Sequence, residues 1–263
     1  MPSADANDLM RSLIADKDGG NPEWKAESER LFGPQEASAQ WREFEKAGII
    51  PPPESDLTFV SVSANIPTQE LAMFQADLLT RRGKSKFIVG DIADLGVHPF
   101  IENFVKPKVS ELHSFDYLIW NASELPLPDG IADIVIDRKG ALWHVAFNFK
   151  DPQLLIDTFN GYHRILKPGG SLVVDNIRGF TTYVAGLSAA RQADIVIKTL
   201  SGAPLSEIYP DAPMQYEPST IDEIRRLALA LPDNMKLITT ISENFDIKDF
   251  GEGGLSVKIF TKK

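Results

Sequence analysis

Cysteine is absent from the 263 residues, which removes disulfides, thiolate metal sites and cysteine nucleophiles from consideration. Histidine is scarce: four occur, at 98, 113, 144 and 163, and no two have the close helical spacing of a zinc site, so no metal is expected. Basic charge is short as well. The 27 lysines and arginines face 37 acidic residues for a formal charge of −10, the opposite of the footprint that binds a nucleic-acid backbone. Nucleic acid is therefore not an expected partner, a small local basic patch aside. No apolar run approaches the roughly 20 residues that span a bilayer. The opening MPSADANDLM lacks the basic residues and apolar core of a signal peptide. The expectation is a cytoplasmic protein without membrane contact, in which the sequon NAS at Asn121 is a chance match. One more absence bears on function. FVSVSANIPTQE, residues 59–70, reads as strand, turn and helix start, yet contains no glycine.

What is present is ordinary in bulk. Hydrophobic residues make up 43% and charged residues 24%, the proportions of a globular protein long enough to bury a sizeable core. Residues 1–56 are polar and charged, with two helix-like pieces. In SAQWREFEKAGII, Trp41 and Phe44 stand three apart on one face, and Pro51 to Pro53 then make a stiff extended link. This stretch is read as an N-terminal helical arm packed on the main domain, a placement compatible with a lid over a ligand.

Residues 57–263 carry the main domain. LTFVSVS, rich in β-branched residues, is a strand. PTQELAMFQADLLTRRGK is a helix, with Thr68 as its cap, Leu71, Phe74 and Leu78 on one face and Gly83 at its end. KFIVGD, FDYLIWN and ADIVID read as the second, third and fourth strands, with a short helical piece in HPFIENFVK. DPQLLIDTFNGYHRIL is a helix capped by Asp151 and opened by Pro152. In KPGG, proline followed by glycine suits a type II turn into the fifth strand, SLVVDNI. Helices alternating with strands too apolar to face water point to a parallel sheet covered on both sides. Beyond Ile177, TTYVAGLSAARQADIVIKTL reads as a helix and SGAPLSEIYPDAPMQYEP as irregular. Thr220 and Glu223 form a capping box for another helix, which Pro232 ends. KLITTIS and LSVKIFTKK are expected to be two final strands, an antiparallel pair on one edge of the sheet.

The stretch NASELPLPDGIADIVIDRKGALWHV, followed by YHRILKPGGSLVV, resembles the class I S-adenosylmethionine-dependent methyltransferases, of the type 11-like kind. In that family a strand ends in an acidic-Ala pair, a Leu-Pro-aromatic-Pro-Asp loop follows, and the next strand opens Phe-Asp-Val-Val. A helix ending Arg-Val-Leu-Lys-Pro-Gly-Gly then leads into another strand. Here Leu125, Pro126, Leu127, Pro128 and Asp129 fill the loop, Asp133 opens the strand, and Arg164 to Gly170 supply the turn. The likeness covers roughly Leu57 to Ile177 and rests on the order and spacing of these pieces. It implies a Rossmann-like, doubly wound α/β fold. The seven-stranded sheet would be mostly parallel with an antiparallel C-terminal strand pair, and S-adenosylmethionine would lie at the carboxyl ends of the first strands.

The resemblance also implies roles for particular residues. Asp91, ending KFIVGD, matches the acid that holds both ribose hydroxyls through charge-assisted bonds; the bland alternative is an ordinary strand-end aspartate. The family's first motif is an acid followed by small residues, mostly glycine, at alternate positions. It falls on Ser61, Ser63, Asn65 and Pro67, making Ser61, Ser63, Ala64 and Asn65 the cofactor-side loop. Serine is small and asparagine tolerates left-handed backbone, so the turn can form, but the acid is missing. Asn121, with Ala122 beside it, stands where an acid usually meets the adenine amine, a bond its side-chain carbonyl can accept. Asp137 either contacts the cofactor or turns the chain.

Methyl transfer is an in-line displacement at an electrophilic sulfonium methyl, so a base is optional. DRKG stands where amino-methyltransferases carry Asn/Asp-Pro-Pro, which argues against DNA adenine or protein glutamine acceptors. In DRKGALWHV, Asp137, Arg138, Lys139 and His144 are placed to line the active-site mouth. His144 is the best base on chemical grounds, although simple packing of Trp143 and His144 is the commoner fate. Residues 178–218 are read as an acceptor-side insertion; its Tyr183, Tyr209, Met214 and Tyr216 suit an apolar or aromatic small molecule, or equally a plain helical cover. Two functions stand. One is S-adenosylmethionine-dependent methyl transfer to a small-molecule acceptor. The other is a catalytically inactive, methyltransferase-like binding or scaffold protein that has lost its cofactor, its crevice plugged by Phe100, Phe104 or Trp143. Oligomeric state leaves no trace in the sequence.

Overall fold

Alternating apolar runs produce seven strands in the described residues of the computed structural model: β1 (Leu57–Ser61), β2 (Ser85–Asp91), β3 (His113–Ile119), β4 (Ala132–Arg138), β5 (Leu166–Asp175), β6 (Phe245–Phe250) and β7 (Val257–Lys262). The described residues are 34–64, 67–92, 97–106, 111–138, 141–144, 152–175, 198, 203, 235–251 and 257–263. Several expectations fall outside them: the arm before residue 34, Asn65, Lys139, the Asp151 cap, nearly all of 178–218 with its tyrosines, and the Thr220 capping box. So do the side chains of Phe100, Phe104, Arg138, Trp143 and His144.

The strands form one sheet in the order β3-β2-β1-β4-β5-β7-β6. The first five pair in parallel, and β7 runs antiparallel to both β5 and β6. This is the Rossmann-like, doubly wound α/β sheet, mostly parallel with an antiparallel C-terminal pair. Because β1 to β4 are parallel, their carboxyl ends share one edge of the sheet.

Period-two alternation sends neighbouring residues of each strand into two separate cores. On one face Phe59, Phe87, Phe115, Ile134 and Ile136 meet helices α1 (Pro34–Lys46) and α2 (Thr68–Leu78). Trp41 of α1 packs edge-on to Phe59 with ring centroids 5.7 Å apart, and Phe59 stacks on Phe87 at 4.4 Å. On the other face Val60, Ile88, Val135, Leu172 and Phe260 meet Phe159 and Tyr162 of α5 (Pro152–Ile165) and Ile241 of α6 (Met235–Asn244). Two short helices complete the description: α3 (Val97–Phe100), which runs into a wider turn over Ile101–Val105, and α4 (Ala141–His144) after β4. Among the described residues no helix is long and apolar enough to cross a membrane, and no cluster of ligating side chains could hold a metal.

The residues that carry the family resemblance prove to be ties within the scaffold. Arg164, near the end of α5, donates to the carbonyls of Leu125 and Leu127 and to Asp129 Oδ1, so one guanidinium holds the Leu125–Asp129 loop. Lys167 Nζ reaches both oxygens of Asp133 at 2.7 Å, and Asp133 Oδ2 also accepts from the Thr58 amide at 2.7 Å. Gly169 has φ of 75°, the left-handed value that the second central position of a type II turn requires.

Three local readings need correction. KLITTIS is helical, lying within α6, and the first strand of the terminal pair is Phe245–Phe250. Its isoleucines and threonines favour strand, but helical winding buries Ile241 against the α5 side of the sheet, and packing overrides propensity. Thr68 does not cap α2: Pro67 is the N-cap residue and makes no side-chain capping bond. Helix α2 stops at Leu78, well before Gly83, whose amide donates to the Pro53 carbonyl at 3.1 Å.

Candidate functional site

The strand order sets the candidate residues in a row. Along the carboxyl edge come Asn121 and Ala122 just past β3, Asp91 at the end of β2, Ser61 to Ala64 at the end of β1, and Asp137 near the end of β4. Chain segments as far apart as residues 61 and 137 thus meet on one rim, with neighbouring strands about 4.8 Å apart.

Asp91 is half-buried, and its Oδ1 accepts the Ile92 amide at 2.7 Å. A carboxylate offers about four acceptor positions, and this bond helps orient the group. The residue before it, Gly90, is required by its neighbour. A Cβ there would lie 2.5 Å from the Trp120 ring and 2.6 Å from the Leu118 carbonyl oxygen. The buried Trp120 indole thus reaches from the end of β3 across β2 to β1, where its Nε1 donates to the Val62 carbonyl at 3.0 Å.

The β1 loop is tied down at every described position. Ser61 Oγ donates to Glu70 Oε1 at 2.9 Å, a buried bond between the strand end and the first turn of α2. The Val62 amide donates to the Ile136 carbonyl, and the Ala64 amide to the Gly90 carbonyl at 3.0 Å. Ser63 Oγ accepts the Ala141 amide at 3.0 Å, joining the loop to the start of α4. Small side chains at 61, 63 and 64 let the backbone pass this closely between β2 and β4 without glycine.

Asn121 is exposed and caps a single 3-10 turn over Ala122–Glu124, its Oδ1 accepting from both the amide and the hydroxyl of Ser123, at 3.1 and 2.9 Å. Those two bonds use both lone pairs of the carbonyl oxygen that the sequence reading reserved for an adenine amine. The group left to face a nucleobase is the amide nitrogen, a donor. Ala122 beside it is buried under α5.

Asp137 is buried on the α5 side, where its Oδ2 accepts from Tyr162 Oη at 2.8 Å and from the Leu142 amide at 2.9 Å. Burial and the adjacent carboxylate push the Tyr162 phenol well above its ordinary pKa, so it stays a neutral donor. Asp137 thereby fastens β4 to α4 and α5. His144 closes α4, so its backbone lies on the same rim, one turn past this knot.

The residue that sequence reasoning missed is Glu70. Its signal was there: an acid in the first helical turn, directly after a loop whose own acid is absent.

With this geometry in view, likeness to other proteins can be placed. Residues 72–174 match the family model described as "Methyltransferase domain". No curated protein sequence matches the chain. Among solved structures, a Methanococcus maripaludis protein provisionally assigned as an S-adenosyl-L-methionine-dependent methyltransferase is similar at 14% identity, with 93% of this chain and 92% of that one covered and a TM-score of 0.50. A S-adenosylmethionine-dependent methyltransferase from Aquifex aeolicus shares 12% identity over 96% and 97% of the two chains, with a TM-score of 0.45. At 14% identity the likeness to the Methanococcus maripaludis structure speaks for the fold alone, and the family match speaks for the segment it covers. Residues 72–174 are thus similar to methyltransferase domains, and the strand order is that of a Rossmann-like methyltransferase fold.

Proposed function

We propose that this chain binds S-adenosylmethionine along the carboxyl edge of its sheet and transfers the methyl group to a small-molecule acceptor. The observation that carries the reading is the row formed by Asn121, Asp91, Ser61–Ala64 and Asp137 over adjacent parallel strands. In this reading Asp91 accepts the ribose hydroxyls, Asn121 and Ala122 flank the adenine, and Ser61, Ser63, Ala64 and Asn65 shape the loop beside the methionine portion. Asp137 acts from beneath, by holding β4, α4 and α5 in register.

The donor supplies an electrophilic sulfonium methyl, and the protein's task is to hold the acceptor in line behind it. His144, on the rim after β4, is the candidate base for an acceptor that must lose a proton. The reading divides the chain into an arm over residues 1–56 and a domain over 57–263, with 178–218 on the acceptor side. A net charge of −10 favours a small acceptor over a polyanion.

Calorimetric titration with S-adenosylmethionine and with S-adenosylhomocysteine tests the proposal. Saturable heat with either ligand, followed by transfer of labelled methyl to a small-molecule pool, is the expected result. No heat and no thermal shift at millimolar ligand would sink it.

A second reading, an inactive methyltransferase-like binding or scaffold protein, draws on specific bonds. The Ala64 amide, the Ser63 hydroxyl and the Asn121 carbonyl are all engaged within the protein, to Gly90, Ala141 and Ser123. It ranks second because Asp91 keeps its place at the centre of the row.

A further inference from the structure

The start of α4 is held from two sides. The Ala141 amide donates to Ser63 Oγ at 3.0 Å, and the Leu142 amide donates to Asp137 Oδ2 at 2.9 Å. The two anchors differ in how firmly they are themselves held. Asp137 is buried on β4 and gripped by the Tyr162 hydroxyl of α5 at 2.8 Å. Ser63 is half-buried and rides on the loop that follows β1, at the rim of the sheet. One anchor of α4 therefore belongs to the scaffold, and the other to a loop that a ligand can touch.

Ser63 stands where the methyltransferase pattern mostly has glycine, and a glycine has no side chain with which to make this bond. The link from the β1 loop to α4 is thus a property of this chain. A hydroxyl that accepts an amide proton still carries a proton of its own. When a ligand acceptor takes that proton, the oxygen is polarised and the Ala141 bond strengthens. A ligand packed on the loop also restrains Ser63, and so restrains the acceptor on which the Ala141 amide depends. Both effects have the same sign: occupancy of the loop steadies α4, the helix that ends in His144.

We propose that Ser63 is a positioning residue that transmits occupancy of the donor site to the segment after β4, so that α4 is set for an acceptor once the donor is in place. The proposal rests on the cofactor reading above. It concerns coupling between two sides of the site, and Ser63 makes or breaks no bond of the ligand. Coupling of this kind requires an interaction that differs between the empty and filled states, and the Ser63–Ala141 bond supplies one.

Amide hydrogen exchange, read residue by residue by NMR, tests this in the full chain with and without saturating S-adenosylhomocysteine. In wild type the ligand is expected to slow exchange of the Ala141 and Leu142 amides about two- to fivefold, the scale of firming one neutral hydrogen bond. In Ser63→Ala the ligand response at Leu142 is lost, although Leu142 keeps its own bond to Asp137; Ser63→Thr, which keeps the hydroxyl, retains the response. A bolt with no part in coupling would let α4 exchange faster in Ser63→Ala and leave the ligand response unchanged, and that result overturns the proposal. Loss of the response in both variants alike would assign it to disturbance of the loop, and overturns the proposal too. Wild type that binds the ligand with no change at either amide overturns it without any variant, so a Ser63→Ala protein that fails to fold or to bind does not shelter it. Wild type giving no calorimetric heat with the ligand is a different outcome: it removes the cofactor reading itself, and this proposal with it.

Discussion

Asp91 and His163 show how differently single residues can be read. Asp91 stands at the end of β2, where its Oδ1 accepts the Ile92 amide at 2.7 Å. Asp91→Ala should weaken S-adenosylhomocysteine binding by about 1.5–3 kcal/mol, the scale of hydrogen bonds to a charged group, as read by calorimetry. An unchanged Kd would mean that the ribose is held elsewhere. His163 was a bare helical histidine in the sequence. In the fold its ring stands edge-on to Phe245 at 5.4 Å, and burial, helped by the Lys262 charge, lowers its pKa below 6.5. The folded state therefore resists its protonation while the unfolded chain accepts the proton. The stabilising contribution is present above pH about 6.5 and is lost as pH falls through the window between that value and the lowered one. Urea unfolding between pH 5 and 7 should show stability falling with pH, with a shallower slope in His163→Gln. Equal slopes would contradict this account. Ser61, Ser63 and Asn121 lie between these cases. Their positions were legible from the family pattern, but their bonds to Glu70, Ala141 and Ser123 were not, because short polar side chains take whatever donor or acceptor the fold brings near.

Elements are joined by ties that periodicity leaves invisible. Asp77 and Arg81 stand four apart, a spacing that on a solvated helix face would contribute a few tenths of a kcal/mol. Here both side chains are fully buried, with Nε to Oδ1 at 2.8 Å. The guanidinium continues outward to the carbonyls of Pro51, Pro52 and Ser55, anchoring the proline link to the end of α2. Arg81→Ala should cost about 3–5 kcal/mol in a denaturant titration, because it strands the Asp77 carboxylate without its counter-charge. Asp77→Leu combined with Arg81→Met should cost less, since no buried charge remains and only the carbonyl bonds are lost. A double variant as unstable as Arg81→Ala would contradict that reasoning. The same limit of local pattern explains KLITTIS: Leu237 and Ile241 stand four apart, as a helix requires, yet the β-branched content pulls the reading toward strand. The neighbours of Ile241 in the α5-side core decide the matter, and they come from distant segments.

At the scale of the molecule, one sheet separates two cores, and α1 belongs to the core that holds Phe59 and Phe87. Trp41 is 1% exposed and touches both rings, with centroids 5.7 and 5.5 Å away. Trp41→Ala should therefore cost about 3–5 kcal/mol of global stability, measured by chemical denaturation. A helix serving only as a lid would give a change within about 0.5 kcal/mol, as surface sites do. What the sequence determined by itself was whatever repeats or sits close along the chain: the strand–helix alternation, the left-handed glycine at 169, and the spaced motif from Asn121 to Val174 that resembles methyltransferase domains. Alternating apolar residues commit a segment to a strand and a face, whatever its neighbours. Only the tertiary structure decided which strand ends share the rim and who meets whom there. Ser63 finds its donor 78 positions away, and the Trp120 indole its acceptor 58 positions away. Those partners follow from the order β3-β2-β1-β4, in which β1 lies beside β2 and β4. Hydrogen bonds act over about 3 Å in space and are indifferent to separation along the chain, so a chemistry that depends on them is settled by the folded arrangement.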